Sequence, residues 1–79
     1  MKLPALIPVK SSNIQALGWS DKTGLVVRFA GGSTYLYAEA PKSVFDELVQ
    51  ADSVGKAFGA KVKGVFVHKQ VHDAEPHNR

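Results

Sequence analysis

Residues 31–41, GGSTYLYAEAP, decide how this chain folds. Tyr35 and Tyr37 stand one residue apart between a glycine pair and a proline. In a strand that spacing puts both rings on one face. The preceding run, LVVRFA (25–30), is rich in β-formers, and GGS (31–33) is turn chemistry, so the two runs read as an antiparallel hairpin. Because side chains alternate along a strand, loop length sets which residues share a face. A three-residue loop over 31–33 pairs Ala30 with Thr34, Phe29 with Tyr35 and Val27 with Tyr37. A loop of Gly31-Gly32 alone swings both tyrosines to the Arg28 side. Burial favours the first arrangement, which groups Leu25, Val27, Phe29, Tyr35 and Tyr37. The tyrosines are then core residues whose hydroxyls reach a polar rim. The alternative is an aromatic platform on which bases stack.

Working outward, NIQALGW (13–19) reads as a strand and SDKTG (20–24) as a five-residue turn. That turn adds Leu17 and Trp19 to the same face and completes a three-stranded antiparallel meander. Downstream, Pro41 suits the first turn of a helix, with Ser43 and Asp46 as an alternative cap. Val44, Phe45, Leu48 and Val49 give that helix an apolar stripe. ADS (51–53) ends it, and Ser53 can cap a second helix with Val54, Phe58 and Val62 on one face. The glycines of GKAFG (55–59) read as allowing that helix to pack closely, and Gly64 suits its C-terminal end. VFV (65–67) is β-prone, and a short C-terminal strand there is left open. The expected class is α+β: a meander followed by two helices packed on one face. The expected core comprises Leu17, Trp19, Leu25, Val27, Phe29, Tyr35, Tyr37, Val44, Phe45, Leu48, Phe58 and Val62.

Two helices cover only one side of so small a sheet. The other side would carry Ala16, Val26, Arg28, Ala30, Thr34, Leu36 and Ala38, too apolar for a face that meets water. Either residues 1–12, the 65–71 segment or a partner covers it, so Ala16, Val26 and Leu36 form a candidate partner surface.

Seventy-nine residues make one domain, read as an extended arm (1–12), a folded unit (13–71) and a frayed polar tail (72–79). There is no cysteine, and no apolar run approaches the ~18 residues of a membrane span. This composition points to the cytoplasm and away from a membrane. The net charge is +3, unevenly spread: residues 53–72 carry four lysines and no carboxylate, whereas 39–52 carry four carboxylates and one lysine. Lys56, Lys61 and Lys63 on or after the second helix, with Lys69 and Arg28 nearby, are candidate phosphate contacts.

Catalytic signals are missing. His68, His72 and His77 are the only candidate ligands of note, and the i, i+4 pair among them would share a face only on a helix, where strand and tail are expected. Asp46 and Glu47 are adjacent and point apart on a helix. The expectation is a non-enzymatic module with no catalytic residue, metal or cofactor.

One ordered set of residues resembles a known family. SSNIQALGW, LVVRF, GG and TYLY, followed by Pro41, Val44, Phe45, Leu48, Ala51, Ser53, Gly55 and Phe58, are similar in kind and spacing to the KTSC domain, over residues 11–66. Tyr35-x-Tyr37 matches its Tyr-x-Tyr signature, and Gly18-Trp19 stands where Gly-Tyr is frequent. Gly59 and Val62-Lys63 depart from it, replacing a polar residue and an Ile-Arg pair. The family is named after the C-terminus of some lysyl-tRNA synthetases. The resemblance implies RNA binding by association and brings no catalytic residues. The first expected function is RNA binding through the lysine-bearing half. The alternative is a protein-interaction or self-association module using the second sheet face.

Overall fold

The central hairpin forms in the expected phase, two residues out of the expected register. The computed structural model describes residues 4–71, so residues 1–3 and the expected tail over 72–79 lie outside them. Strand β3 (Gly24–Phe29) pairs antiparallel with β4 (Thr34–Tyr37), and Leu25 faces Tyr37, Val26 faces Leu36, Val27 faces Tyr35 and Arg28 faces Thr34. The loop is 30–32 rather than 31–33: the Phe29 amide donates to the Ser33 carbonyl and the Gly32 amide to the Phe29 carbonyl, both at 2.8 Å. The reason is conformational. The last loop position takes φ +101° at Gly32, and a loop over 31–33 would demand that of Ser33, which has a Cβ. A slip of two residues preserves the side-chain alternation, so the odd-numbered rings still share a face.

The neighbouring turn agrees with expectation. Strand β2 (Ile14–Ser20) pairs with β3 so that Trp19 faces Leu25 and Leu17 faces Val27. Ser20 holds the turn, its hydroxyl accepting from the Thr23 amide at 3.1 Å and meeting the Thr23 hydroxyl at 2.9 Å. A register shift between Ile14 and Ala16 brings Ile14 opposite Phe29, where it is fully buried.

The sheet has five strands, in the order β1-β2-β3-β4-β5. The expected three gain β1 (Ile7–Pro8) from the arm and β5 (Lys69–Val71) on the far edge. The optional strand therefore lies beyond VFV. After α2, Val62 accepts the amides of Val65 and Phe66 at 3.0 and 3.1 Å, which keeps residues 62–66 in a turn.

Helix α1 (Lys42–Gln50) starts after Pro41, with no side-chain cap from Ser43. Trp19 Nε1 donates to the Ala40 carbonyl at 2.9 Å and ties the sheet to the helix entry. Helix α2 (Val54–Lys61) is capped by Ser53, whose hydroxyl accepts from the Lys56 amide at 3.3 Å. Its C-cap is Val62, two residues before Gly64.

Both helices lie on the odd face of the sheet. Leu17, Leu25, Val27, Tyr37, Leu48, Phe58 and Val62 are buried there as expected, joined by Ile14 and Val54. Trp19, Phe29, Tyr35, Val44 and Phe45 are half-buried against them. Val49, placed on the α1 stripe, is an exposed residue instead.

The second face is closed by the chain itself. Ala16, Val26 and Leu36 are buried, Val26 completely, so they offer no partner surface. The cover at β2 is the arm. A Cβ on Gly18, which points to the Val26 side, would lie 2.6 Å from Leu6 Cδ2, 2.9 Å from the Ala5 carbonyl oxygen and 3.3 Å from Pro4 Cγ. The missing side chain is what lets residues 4–6 settle onto β2. The other glycine expectation divides: a Cβ on Gly55 would touch Ser11 Oγ at 3.4 Å, whereas one on Gly59 meets nothing within 4 Å.

Two alanine variants should therefore move stability in opposite directions. Gly18→Ala crowds the arm and should cost about 1–3 kcal/mol. Gly59→Ala removes a helix-interior glycine over open space and should add up to about 1 kcal/mol. Thermal melts read both, at roughly 4–8 °C per kcal/mol for a domain this size.

Candidate functional site

Aromatic residues recur on the odd face at Phe29, Tyr35 and Tyr37 because two turns hold β2, β3 and β4 in one phase. Helix α2 lays Phe58 across them. Phe29 meets Tyr35 and Phe58 edge-to-face at 5.4 and 5.5 Å, and Tyr37 meets Phe58 edge-to-face at 5.7 Å. From the segment after α2, His68 brings its ring to 5.2 Å from Tyr35 and 5.6 Å from Tyr37. The five rings border an open groove of about 410 Å³, with Lys63 and Gly64 at its margin. Tyrosines that belong to the core thus also line a concavity, so the core and platform readings are not exclusive.

The tyrosine hydroxyls make no hydrogen bond to the expected polar rim. Among the described residues neither has a hydrogen-bond partner, although Tyr37 is only 5% exposed. Burial raises the Tyr37 phenol above its ordinary value of 10.0, and the neighbouring Tyr35 phenol adds to the effect. Tyr37 is therefore a neutral donor and acceptor at physiological pH.

The aromatic groove does not stand alone. A second depression of about 380 Å³ shares Phe29, Phe58 and Lys63 with it and extends over Gly55 and Gly59 toward Asn13. A third, also about 380 Å³, shares Asn13 and Gly55 with the second and lies between the arm and the start of α2. Lys10 and Lys56 border it, with Asp52 beside them. The three form one track along α2, aromatic at one end and basic at the other.

The expected five-residue basic surface divides between the two faces of the sheet. Lys56 and Lys63 line the track. Lys61 is on α2 but bridges Glu47 at 3.2 Å, with both side chains about half exposed. Arg28 and Lys69 belong to the even face, since Arg28 faces Thr34 and Lys69 faces Leu36 in the ladder. Arg28 Nε also donates to Thr34 Oγ1 at 3.5 Å. Strand alternation separates residues that look close in the sequence. Lys10, Asn13 and the ring of His68 were missed as site residues. Lys10 and Asn13 carry no local motif, and only the pairing of the arm brings them to α2. His77 and His72 lie outside the described residues.

Comparison with known proteins places the chain in a family. The model of the KTSC domain matches residues 10–66. A protein from Tsukamurella paurometabola is 47% identical over 60 residues, covering 75% of this chain and 90% of that protein. A lysine–tRNA ligase from Nostoc punctiforme is 34% identical over 67 residues; the match covers 84% of this chain and only 12% of the ligase. Among solved structures, the crystal structure of a KTSC domain protein from Yersinia pestis superposes with a TM-score of 0.78 at 28% identity, covering 86% of this chain and 97% of that one.

Tyr37→Phe should melt within about 1 kcal/mol of the parent, or above it, because it removes a hydroxyl with no hydrogen-bond partner among the described residues. The parent should also lose stability as pH rises through 10 and beyond. There the unfolded chain's phenol ionises while the folded one stays protonated, so the unfolded state gains. Alkaline melts should show this loss to be smaller in the variant.

Proposed function

We propose that this chain, which belongs to the KTSC domain family, is a non-enzymatic module that binds single-stranded RNA along α2. The observation that carries the reading is the continuity of the track: three adjoining depressions lead from Lys10 and Lys56, past Lys63, to a five-ring groove. A single strand needs both elements, cations that follow its backbone and rings that take its bases. Duplex RNA would bring only its backbone and groove edges, because its bases stay stacked. The similarity to part of a lysine–tRNA ligase, an enzyme named for its tRNA, favours RNA over DNA.

The burial of Ala16, Val26 and Leu36 on the second face supports this reading over a protein-interaction module that docks through that face. The electrostatic contribution is also smaller than five cations on one face would give. Three lysines line the track, and Lys61 can join them only by leaving an exposed bridge of little worth.

Fluorescence anisotropy with a labelled single-stranded RNA tests the reading. Three phosphate contacts predict that log K falls by about 2 per decade of salt. Lys63→Ala should flatten that slope by about 0.7. Lys69→Ala, on the opposite face, should leave it unchanged. Binding that is indifferent to salt, or equally weakened by both variants, defeats the proposal.

A further inference from the structure

The aromatic end of the track holds a polar group without a hydrogen-bond partner among the described residues. Tyr37 is more than nine-tenths buried and lines the groove, and its hydroxyl has no hydrogen bond to any described residue. Buried phenols ordinarily find a partner, since an unmet hydroxyl costs stability that a phenylalanine would not. Tyr35 stands beside it in the same groove, its hydroxyl also without a hydrogen-bond partner among the described residues. The groove volume, about 410 Å³, falls in the range of small-molecule sites, and its walls are rings that meet edge-to-face.

From this we infer that the groove is a recognition site for one unpaired nucleobase, extruded from the bound strand and hydrogen-bonded on its edge by the Tyr37 hydroxyl. The inference rests on the single-stranded RNA reading and adds a base-dependent contact to a backbone-dependent one. A phenol is both donor and acceptor, and a base edge carries donors and acceptors side by side, so two phenols can answer it. Phe29, Tyr35 and Phe58 supply apolar surface for the ring, and Lys63 at the margin lies where the attached phosphate emerges. The ligand is thus a nucleotide within a chain, with the base inward and the phosphate outward.

The experiment compares three labelled probes in the same buffer: a single-stranded RNA hexamer, the same length of abasic ribose-phosphate backbone, and a blunt RNA duplex. The hexamer should bind about tenfold or more tightly than the abasic strand and the duplex, because one satisfied buried hydrogen bond plus base burial is worth at least that factor. Tyr37→Phe, which keeps the ring and the fold, should remove most of the hexamer's advantage while leaving the salt slope intact. In heteronuclear NMR, the Gly64 and His68 resonances should shift with the hexamer and not with the abasic strand. If all three probes bind alike with the expected salt slope, or if Tyr37→Phe binds the hexamer as the parent does, the base site is wrong and the backbone reading stands. If none of the probes binds, both are overturned.

Discussion

Leu25 opposite Tyr37 and Val27 opposite Tyr35 are the contacts on which the rest of the molecule depends. They set the phase of the sheet, and phase is an all-or-none property: a slip of one residue would turn every ring toward the other face. With the phase held, the odd positions of three strands make one apolar surface. Val54, Phe58 and Val62 of a weakly helical, glycine-containing segment then have something to pack against. Helix α2 exists because of that surface more than because of its own propensity. Its position creates the groove, since the rings that anchor Phe58 are the rings that border the concavity.

Phase could be read directly from the amino acids because burial separates the two choices by several large side chains. Register could not, because pairings that differ by two residues bury the same set. The deciding term is a single backbone angle, favourable at Gly32 and costly at Ser33. The five-residue turn after Trp19 was legible for a related reason: Ser20 and Thr23 announce the turn and then close it with their hydroxyls. Helix α2 was legible from its four-residue spacing and its serine cap. The fate of the second face was not. Its cover comes from a short arm interrupted by Pro4 and Pro8, and the fit of Leu6 over Gly18 joins residues with no shared periodicity.

The site was legible in its parts but not in its assembly. Tyr35, Tyr37, Phe58, Lys56 and Lys63 all stood out as residue types. What the linear pattern hides is which of the lysines share a side with the rings. A strand turns alternate residues to opposite faces, so Arg28 and Lys69 leave the group although they sit on the two strands flanking or joining β4. Lys10 enters it from the far end of the chain because β1 folds back along β2. A charge count over a window sees neither event. An unmet phenol is still less visible, because a partner's absence is a property of three dimensions.

The arm also determines how the molecule meets its own copies. Just after β1 the Val9 amide turns inward to the Gln15 carbonyl at 3.1 Å, so alternation turns the nitrogen of Pro8 outward. That nitrogen carries no hydrogen. A neighbouring molecule trying to extend the sheet along this border would find no donor at the position where its first carbonyl needs one, and a ring in the way. The same short segment that seals the apolar side thus caps the border it creates, a built-in guard against fibre growth from that margin.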